Sequence, residues 1–182
     1  MLKTLAVLAS LCSPLLATAT ESAVNGFIPS SDSLYVATTG EVLLTFISKS
    51  AGYTDELFLK NGASSIFNNQ TASLGNQYSL GTFEAGTLLT FGINVNNTGD
   101  IFYAGETSQN LDSFIHAAYE NVSKNTIMVG FEDLFGGGDR DYNDMVFLVS
   151  NVVVSSIPEP SQNAMILAGL GLFGLSRRWL QK

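Results

Sequence analysis

Residues 78–95 read YSLGTFEAGTLLTFGINV, and this stretch decides the fold class. Two runs of apolar, β-prone residues stand on either side of Glu84-Ala85-Gly86, a short connection that contains glycine. Two such runs joined by three residues are typical of a β-hairpin. We therefore predict strands over Tyr78–Phe83 and Thr87–Val95, paired with each other across this turn.

Similar runs occur on both sides of this stretch. Further strands are expected over Glu41–Ser48, Ile127–Phe131 and Met145–Val154, which are rich in β-branched and apolar residues. Asn and Gly turn signals separate the runs, and no segment shows a long period of 3.6 residues. Leu111–Tyr119 fits a helix or a strand equally well. Short strands between turns predict an all-β fold, an antiparallel β-sandwich of jelly-roll-like type.

The chain of 182 residues has 16 acidic and 8 basic residues, a net charge of −8. This length allows one domain with accessory segments. The acidic balance argues against binding to nucleic acid, because phosphate backbones are bound by basic patches. Residues 20–157 hold 15 of the acidic residues and only 4 of the basic ones. The folded domain, expected over residues 20–155, is therefore the acidic part of the chain.

The N-terminus has the pattern of a secretory signal peptide. Residues 1–19 begin with Lys3, continue with an apolar run and end in an A-x-A site for signal peptidase. We expect a signal helix that is removed on export, and a buried first helix is the alternative. Cys12, the only cysteine, would be lost with it. The mature chain would then have neither disulfides nor thiol chemistry.

The C-terminus looks like a second targeting segment. Pro158, Glu159 and Pro160 end any regular element and mark a linker. The 15 residues 162–176 are uncharged and largely apolar, and Arg177 and Arg178 follow them. As a helix, this run would reach about 22 Å. It predicts a short transmembrane helix with its basic end in the cytoplasm; an ordinary tail anchor or an amphipathic helix packed on the domain are the alternatives.

Residues 156–182 resemble the PEP-CTERM sorting signal of Gram-negative bacteria, which combines a Pro-Glu-Pro motif, a short apolar helix and an Arg cluster. The resemblance implies that Pro158, Glu159 and Pro160 form the processing motif. It also implies that an exosortase in the membrane processes the tail. The protein would then be exported through the inner membrane to the cell surface or the extracellular matrix.

Residues 131–147 read FEDLFGGGDRDYNDMVF and contain five carboxylates and one Asn within the 13 residues 132–144, here called the acidic loop. Asp139, Asp141 and Asn143 are two residues apart, so an extended backbone would place them on one face. Three glycines before them would let the chain turn and bring Glu132 and Asp133 toward that face. Packing like charges so closely is unfavourable unless solvent or a cation compensates for it.

Hard oxygen ligands in a flexible loop, with no His or Cys nearby, favour Ca2+ over transition metals. Mg2+ ranks second, because it requires tighter octahedral geometry. The loop does not have the spacing of an EF-hand, and no Lys-Ser/Thr follows its glycines as in a phosphate-binding loop. A solvated acidic turn is the alternative interpretation.

Residues 130–147 also resemble the signature of the DUF4114 family of bacterial extracellular domains. The resemblance implies a calcium-binding β-sandwich module of surface and adhesin-like proteins, without assigned catalysis. By this resemblance the metal ligands would be Glu132, Asp133, Asp139, Asp141, Asn143 and Asp144. In an extended run, Arg140 and Tyr142 would point away from the ion, with Tyr142 in the core.

Four side chains outside the acidic loop could take part in a site. His116, the only histidine, is expected to be structural, because no Ser or Cys is identifiably placed beside it. Asp55, Glu56 and Asp112 could complete a cation site from other loops, although such residues are more often merely solvated.

These observations predict a secreted, surface-sorted protein with a Ca2+-stabilised β-domain. Its role would be structural or adhesive, in the envelope or the extracellular polysaccharide matrix of a biofilm. The alternative is a Ca2+-dependent carbohydrate-binding module that contacts exopolysaccharide or another glycan, with Tyr53, Tyr78, Tyr103 and Tyr119 as candidate platforms. An enzyme is not expected. A glycosidase needs two carboxylates about 5–10 Å apart across a cleft, whereas the main cluster of acids in this domain lies in one loop.

Overall fold

The computed structural model describes residues 26–155, and this part of the chain is built from short strands. The strands are β1 Ile28–Pro29, β2 Ser33–Val36, β3 Gly40–Ser48, β4 Asp55–Leu59, β5 Phe67–Asn68, β6 Gln77–Phe83, β7 Leu88–Leu89, β8 Phe91–Val95, β9 Asp100–Tyr103, β10 Ala117–Ser123, β11 Thr126–Phe131, β12 Met145–Ser150 and β13 Val152–Ser155. The single helical element of these residues is a 3₁₀ turn, Thr107–Gln109. The predicted all-β class is confirmed.

The strands form three sheets in which every pair is antiparallel. The largest sheet has the order β1-β10-β11-β12-β3-β6, and the two smaller sheets have the orders β13-β2-β7 and β5-β4-β8-β9. The predicted antiparallel pairing is therefore confirmed. The likeness to a jelly roll stays a prediction.

One apolar core is shared by all three sheets. Phe46 of the six-stranded sheet meets Phe67 of the four-stranded sheet edge to face, with ring centroids 5.7 Å apart. Phe91 and Phe147 make a second contact of this kind at 5.5 Å. These aromatic pairs show that the six-stranded sheet packs face to face on the four-stranded sheet, because each ring comes from a different sheet.

The predicted hairpin between Tyr78–Phe83 and Thr87–Val95 is wrong. The first segment pairs with β3, whereas the second divides into β7, which pairs with β2, and β8, which pairs with β4 and β9. The backbone of the turn bonds to β2 instead: Gly86 N–H donates to Val36 C=O at 2.8 Å. Residues 84–86 do form a turn, as predicted, but the turn connects two different sheets instead of two paired strands.

Met145–Val154, predicted as one strand, is two strands in different sheets. The break is at Asn151, whose φ of 60° lies in the left-handed region that Asn tolerates better than most residues. The Asn151 side chain accepts hydrogen bonds from the Thr38 N–H and hydroxyl and donates to the carbonyls of Thr38 and Glu41. These bonds stabilise the bend that moves the chain from β12 to β13.

The remaining predictions concern Leu111–Tyr119, membrane-spanning helices and the two ends of the chain. Leu111–Tyr119, left open between helix and strand, is irregular up to His116 and enters β10 at Ala117. Over the part of the chain that the structure describes, no helix has the length and apolar character needed to cross a bilayer. The predictions for residues 1–19, the Pro-Glu-Pro motif, the C-terminal helix, Arg177 and Arg178 fall outside the described residues.

Candidate metal centre

The acidic loop connects β11 to β12, two neighbouring strands of the six-stranded sheet. Its anchor is Tyr142, which is 2% exposed and packs with Phe27, Ala118 and Val146 in a small second cluster. A Cβ on Gly130 would lie 2.1 Å from the carbonyl oxygen of Tyr142, so glycine is needed in β11 for this close approach. The prediction that Tyr142 is a core residue is confirmed.

The glycine run folds the loop back on itself. Gly136, Gly137 and Gly138 all have positive φ values, of 82°, 82° and 41°. A Cβ on Gly138 would lie only 1.9 Å from Oε1 of Glu132. The chain therefore brings the Glu132 carboxylate against backbone that carries no side chain, as the three glycines predicted.

The carboxylates of the loop form two overlapping groups. Glu132, Asp133 and Asp144, here the inner group, each offer one oxygen, and these oxygens lie within 4.8 Å of one another. Glu132, Asp139 and Asp141, the outer group, meet the same limit. Two oxygens at Ca2+ bonding distance on opposite sides of an ion would be about 5 Å apart, so this spacing is compatible with a shared cation.

The inner group is buried despite its charge. Glu132 is 1% exposed and Asp133 is 4% exposed. Burial is the main cause that raises the pKa of Glu132 to about 8, and repulsion from Asp144 and Asp139 adds to it. Burial likewise raises the pKa of Asp144 to about 6 and the pKa of Asp133 above its ordinary value. Without a cation, full ionisation of this group is unfavourable.

The backbone over residues 139–143 is not extended, so the condition under which Asp139, Asp141 and Asn143 would share one face is not met. Arg140 and Tyr142 have φ values of 62° and 54°, so every second residue is left-handed and the run is a compact turn. Asp141 N–H donates to Oδ1 of Asp139 at 3.4 Å, and Asn143 N–H donates to Oδ1 of Asp141 at 3.2 Å. The Asn143 amide also donates to Asp141. The candidate ligands still come together, but through a curled loop.

Asp55, at the start of β4, is buried and interacts with Asp133 and Asp144, so the interpretation of this residue as merely solvated is wrong. It is fully buried, and Oδ2 accepts a hydrogen bond from the Asn69 amide at 2.6 Å. Burial first, and then repulsion from Asp133 and Asp144, raise the pKa of Asp55 to about 8. The missed signal was the alternation in β4, where Asp55 shares the buried face of Leu57 and Leu59.

Two family models match this chain. The model described as "Domain of unknown function (DUF4114)" matches residues 57–151, which include the whole acidic loop. The chain belongs to the DUF4114 family. A model described as "PEP-CTERM protein-sorting motif" matches residues 156–181, and residues 152–155 separate the two matches. Neither description names an enzymatic activity. No curated protein and no solved structure matches the chain.

Both resemblances seen in the sequence are thereby confirmed. The sorting motif marks the protein as an exosortase target that is exported and directed to the surface of a Gram-negative bacterium. The match to the DUF4114 model begins two residues after Asp55, so the buried acid that faces the inner group precedes the matched region.

His116 and Asp112 hydrogen-bond to the backbone of the acidic loop of the DUF4114 domain. The His116 ring is fully buried and stacks on Phe102, with ring centroids 3.7 Å apart. Its Nδ1 bonds the Glu132 carbonyl at 2.9 Å, and its Nε2 bonds Oδ2 of Asp112 at 2.8 Å. The same Asp112 oxygen accepts the Gly136 N–H at 2.8 Å. The two residues therefore hold both the start and the glycine run of the loop.

The solvated interpretation of Asp112 is wrong, since its side chain is 2% exposed. Burial alone would raise the pKa of Asp112, but hydrogen bonds from the backbone N–H groups of Gly136 and Phe114 and from His116 lower it below its ordinary value. Asp112 is thus an organising carboxylate, and neither the inner nor the outer group includes it.

The four tyrosines proposed as sugar platforms have different environments in the DUF4114 domain. Tyr119 is 4% exposed, so its ring cannot stack on a ligand. Tyr53 and Tyr78 are partly buried against the core, and Tyr103 packs on Phe58 beneath the Lys60 ammonium. The carbohydrate-binding alternative stays a prediction. Binding to a glycan array that chelator abolishes would support it.

Proposed function

We propose that this exported, surface-directed protein carries a DUF4114 domain whose fold is stabilised by Ca2+ bound in the acidic loop. The ligands are drawn from Glu132, Asp133, Asp139, Asp141, Asn143 and Asp144. The domain has a structural or adhesive role in the envelope or the extracellular polysaccharide matrix. An exosortase processes the tail and so determines where the domain is displayed.

The burial of the inner group is the observation that supports this proposal most directly. Glu132 and Asp133 are almost completely shielded from water and lie beside the half-buried Asp144. Buried carboxylates of like charge destabilise a fold unless a proton or a cation lies between them. A divalent cation neutralises the group and receives the oxygen ligands that Ca2+ prefers.

The energetic gain is large enough to matter for this domain. A ligand present at a hundred times its dissociation constant stabilises the folded state by about 2.7 kcal/mol. Small extracellular domains are commonly stabilised by disulfides, and no cysteine lies within residues 26–155. Ca2+ would contribute a comparable stabilisation by another route.

Thermal unfolding of the full-length protein in chelator and in millimolar Ca2+ tests the proposal. We expect Ca2+ to raise Tm by roughly 5–15 °C. Asp139→Ala and Asp141→Ala should reduce that rise, because each removes an oxygen donor of the outer group. Mg2+ should give a smaller shift than Ca2+ at the same concentration.

Asp100→Ala, at the start of β9, is the control, since it removes one acidic charge outside both groups. It should keep the full response to Ca2+. If the wild-type Tm is the same in chelator and in Ca2+, the metal proposal is wrong and the acidic loop is a proton-sharing cluster.

A further inference from the structure

We propose that Asp55 is a ligand of the cation held by the inner group, so that the ion joins two sheets of the fold. This inference rests on the proposed Ca2+ site and extends it to a residue outside the acidic loop. Asp55 opens β4 in the four-stranded sheet, whereas Asp133 follows β11 of the six-stranded sheet.

Two buried oxygens provide evidence that is independent of the clustering of acids. Oδ1 of Asp55 and Oδ2 of Asp133 are both buried, and neither receives a hydrogen bond from a donor of the described residues. Asp55 is 0% exposed and Asp133 is 4% exposed, so bulk solvent does not reach these atoms. Buried polar atoms are nearly always satisfied, which makes two neighbouring orphans a sign of a missing partner.

The two orphan oxygens belong to carboxyls that interact directly with each other. Ionised carboxylates are acceptors only, so they can approach each other only with a proton or a cation between them. Asp55 is already held by Asn69, whose amide bonds Oδ2 and whose Oδ1 accepts the Asp55 N–H at 2.9 Å. This pair occupies Oδ2 of Asp55 and leaves Oδ1 without a donor among the described residues, in a carboxyl that interacts with Asp133 of the inner group.

Lys49, the basic side chain that acts on Asp55, does not supply the missing charge. Its charge lowers the pKa of Asp55, but burial and the neighbouring carboxylates outweigh it. Its ammonium is exposed and donates to the side-chain oxygen of Gln70. A bound cation is therefore the partner that satisfies the orphan oxygens of Asp55 and Asp133 while leaving both ionised.

Ca2+ titration of full-length Asp55→Asn provides the test. Asn keeps the size of Asp and the hydrogen bond from Asn69, and its amide can donate to Asp133. We expect the variant to melt at a higher temperature than wild type in chelator, because folding no longer has to protonate the buried Asp55 carboxylate or bury its charge. We also expect it to bind Ca2+ at least about tenfold more weakly by isothermal titration calorimetry.

Glu56→Gln is the matched control. Glu56 is the next residue of β4, points to the opposite face and accepts a hydrogen bond from Ser65. This variant also loses one negative charge from the strand, and it should bind Ca2+ as wild type does. A loss of affinity in both variants would indicate a general charge effect and overturn the role of Asp55 as a ligand.

The outcomes separate this inference from the proposed function. If wild type does not bind Ca2+, the proposed function itself fails. If wild type binds and Asp55→Asn binds equally well, only the inference fails, and Asp55 shares a proton with Asp133 instead.

A second measurement avoids any dependence on the variant's folding. In wild type, the carboxyl ¹³C resonances of Asp55, Asp133 and Asp144 should all move as Ca2+ is added. An Asp55 resonance that stays in place while the other two move would overturn the inference.

Discussion

Gly138 shows at the scale of one residue how the loop makes room for a carboxylate. The Oε1 atom of Glu132 occupies the space that a side chain at position 138 would fill, and Arg140 N–H donates to Oε2 at 3.1 Å. Glu132 belongs to both the inner and the outer group. Its position therefore determines whether the two groups can share ligands.

Gly138→Ala should impair Ca2+ binding, because the new Cβ would displace Glu132. We expect the Ca2+-induced rise in Tm to be at least halved. Gly136→Ala is the control: its φ of 82° is also unfavourable for alanine, but a Cβ there would meet nothing within 4 Å. If both variants respond to Ca2+ alike, backbone strain and not the position of Glu132 would explain the effect.

At the scale of strands, local patterns predicted where strands occur but not which strands pair. Glu41–Ser48 and Ile127–Phe131 were predicted within one residue of β3 and β11. The turn at Glu84–Gly86 and the bend at Asn151 were not understood, because both depend on hydrogen bonds to residues far along the chain. Long-range hydrogen bonds of this kind determine the register of the strands and the points where the chain passes from one sheet to another. The two-residue alternation of a strand sequence carries no information about them.

Asn151→Ala tests the bend between β12 and β13. The change removes the side-chain bonds to Thr38 and Glu41 and places alanine at a φ of 60°. We expect the free energy of unfolding to fall by about 1–3 kcal/mol, measured by urea denaturation in Ca2+. Asn151→Gly relieves the strain but not the lost bonds, so it should be intermediate. Wild-type stability in Asn151→Ala would show that the bend does not need this residue.

At the scale of the whole molecule, the candidate site lies where two sheets meet. The sequence could indicate the acidic loop, since its acids and glycines lie within 13 residues. It could not place Asp55 or Asp112 beside that loop, because only the packing of separate elements brings them together. The one local sign is an acidic residue on the buried face of a strand, as Asp55 is in β4. This sign can be used only when it is known which face of the strand is buried.

The pH dependence of stability should report the charge buried in this region. The folded domain has pKa values of about 8 at Asp55 and Glu132, against 3.8 and 4.5 as the ordinary values. Between these limits the folded state binds more protons than the unfolded chain, so stability falls as the pH rises. In chelator, Tm should therefore decrease from pH 5 to pH 8.

Saturating Ca2+ should flatten or reverse that slope, because cation binding requires ionised ligands and releases protons. Melts of the full-length protein at matched ionic strength, with chelator or Ca2+, would provide the comparison. A Tm in chelator that rises with pH over this range would contradict the raised pKa values.

The exchange of the chain between sheets at Asn151 also determines how a surface protein would carry mechanical load. The match to the sorting motif begins at residue 156, immediately after β13 ends at Ser155. A pull on the tail would enter the domain through β13, which pairs only with β2 among the described strands. The force would then pass through the bend at Asn151 to β12. This strand is paired with β11 on one side and β3 on the other, and it begins directly after Asp144. Along the chain, the route from the tail therefore leads through β13 and β12 to the acidic loop, with neighbouring strands bonded to each of them.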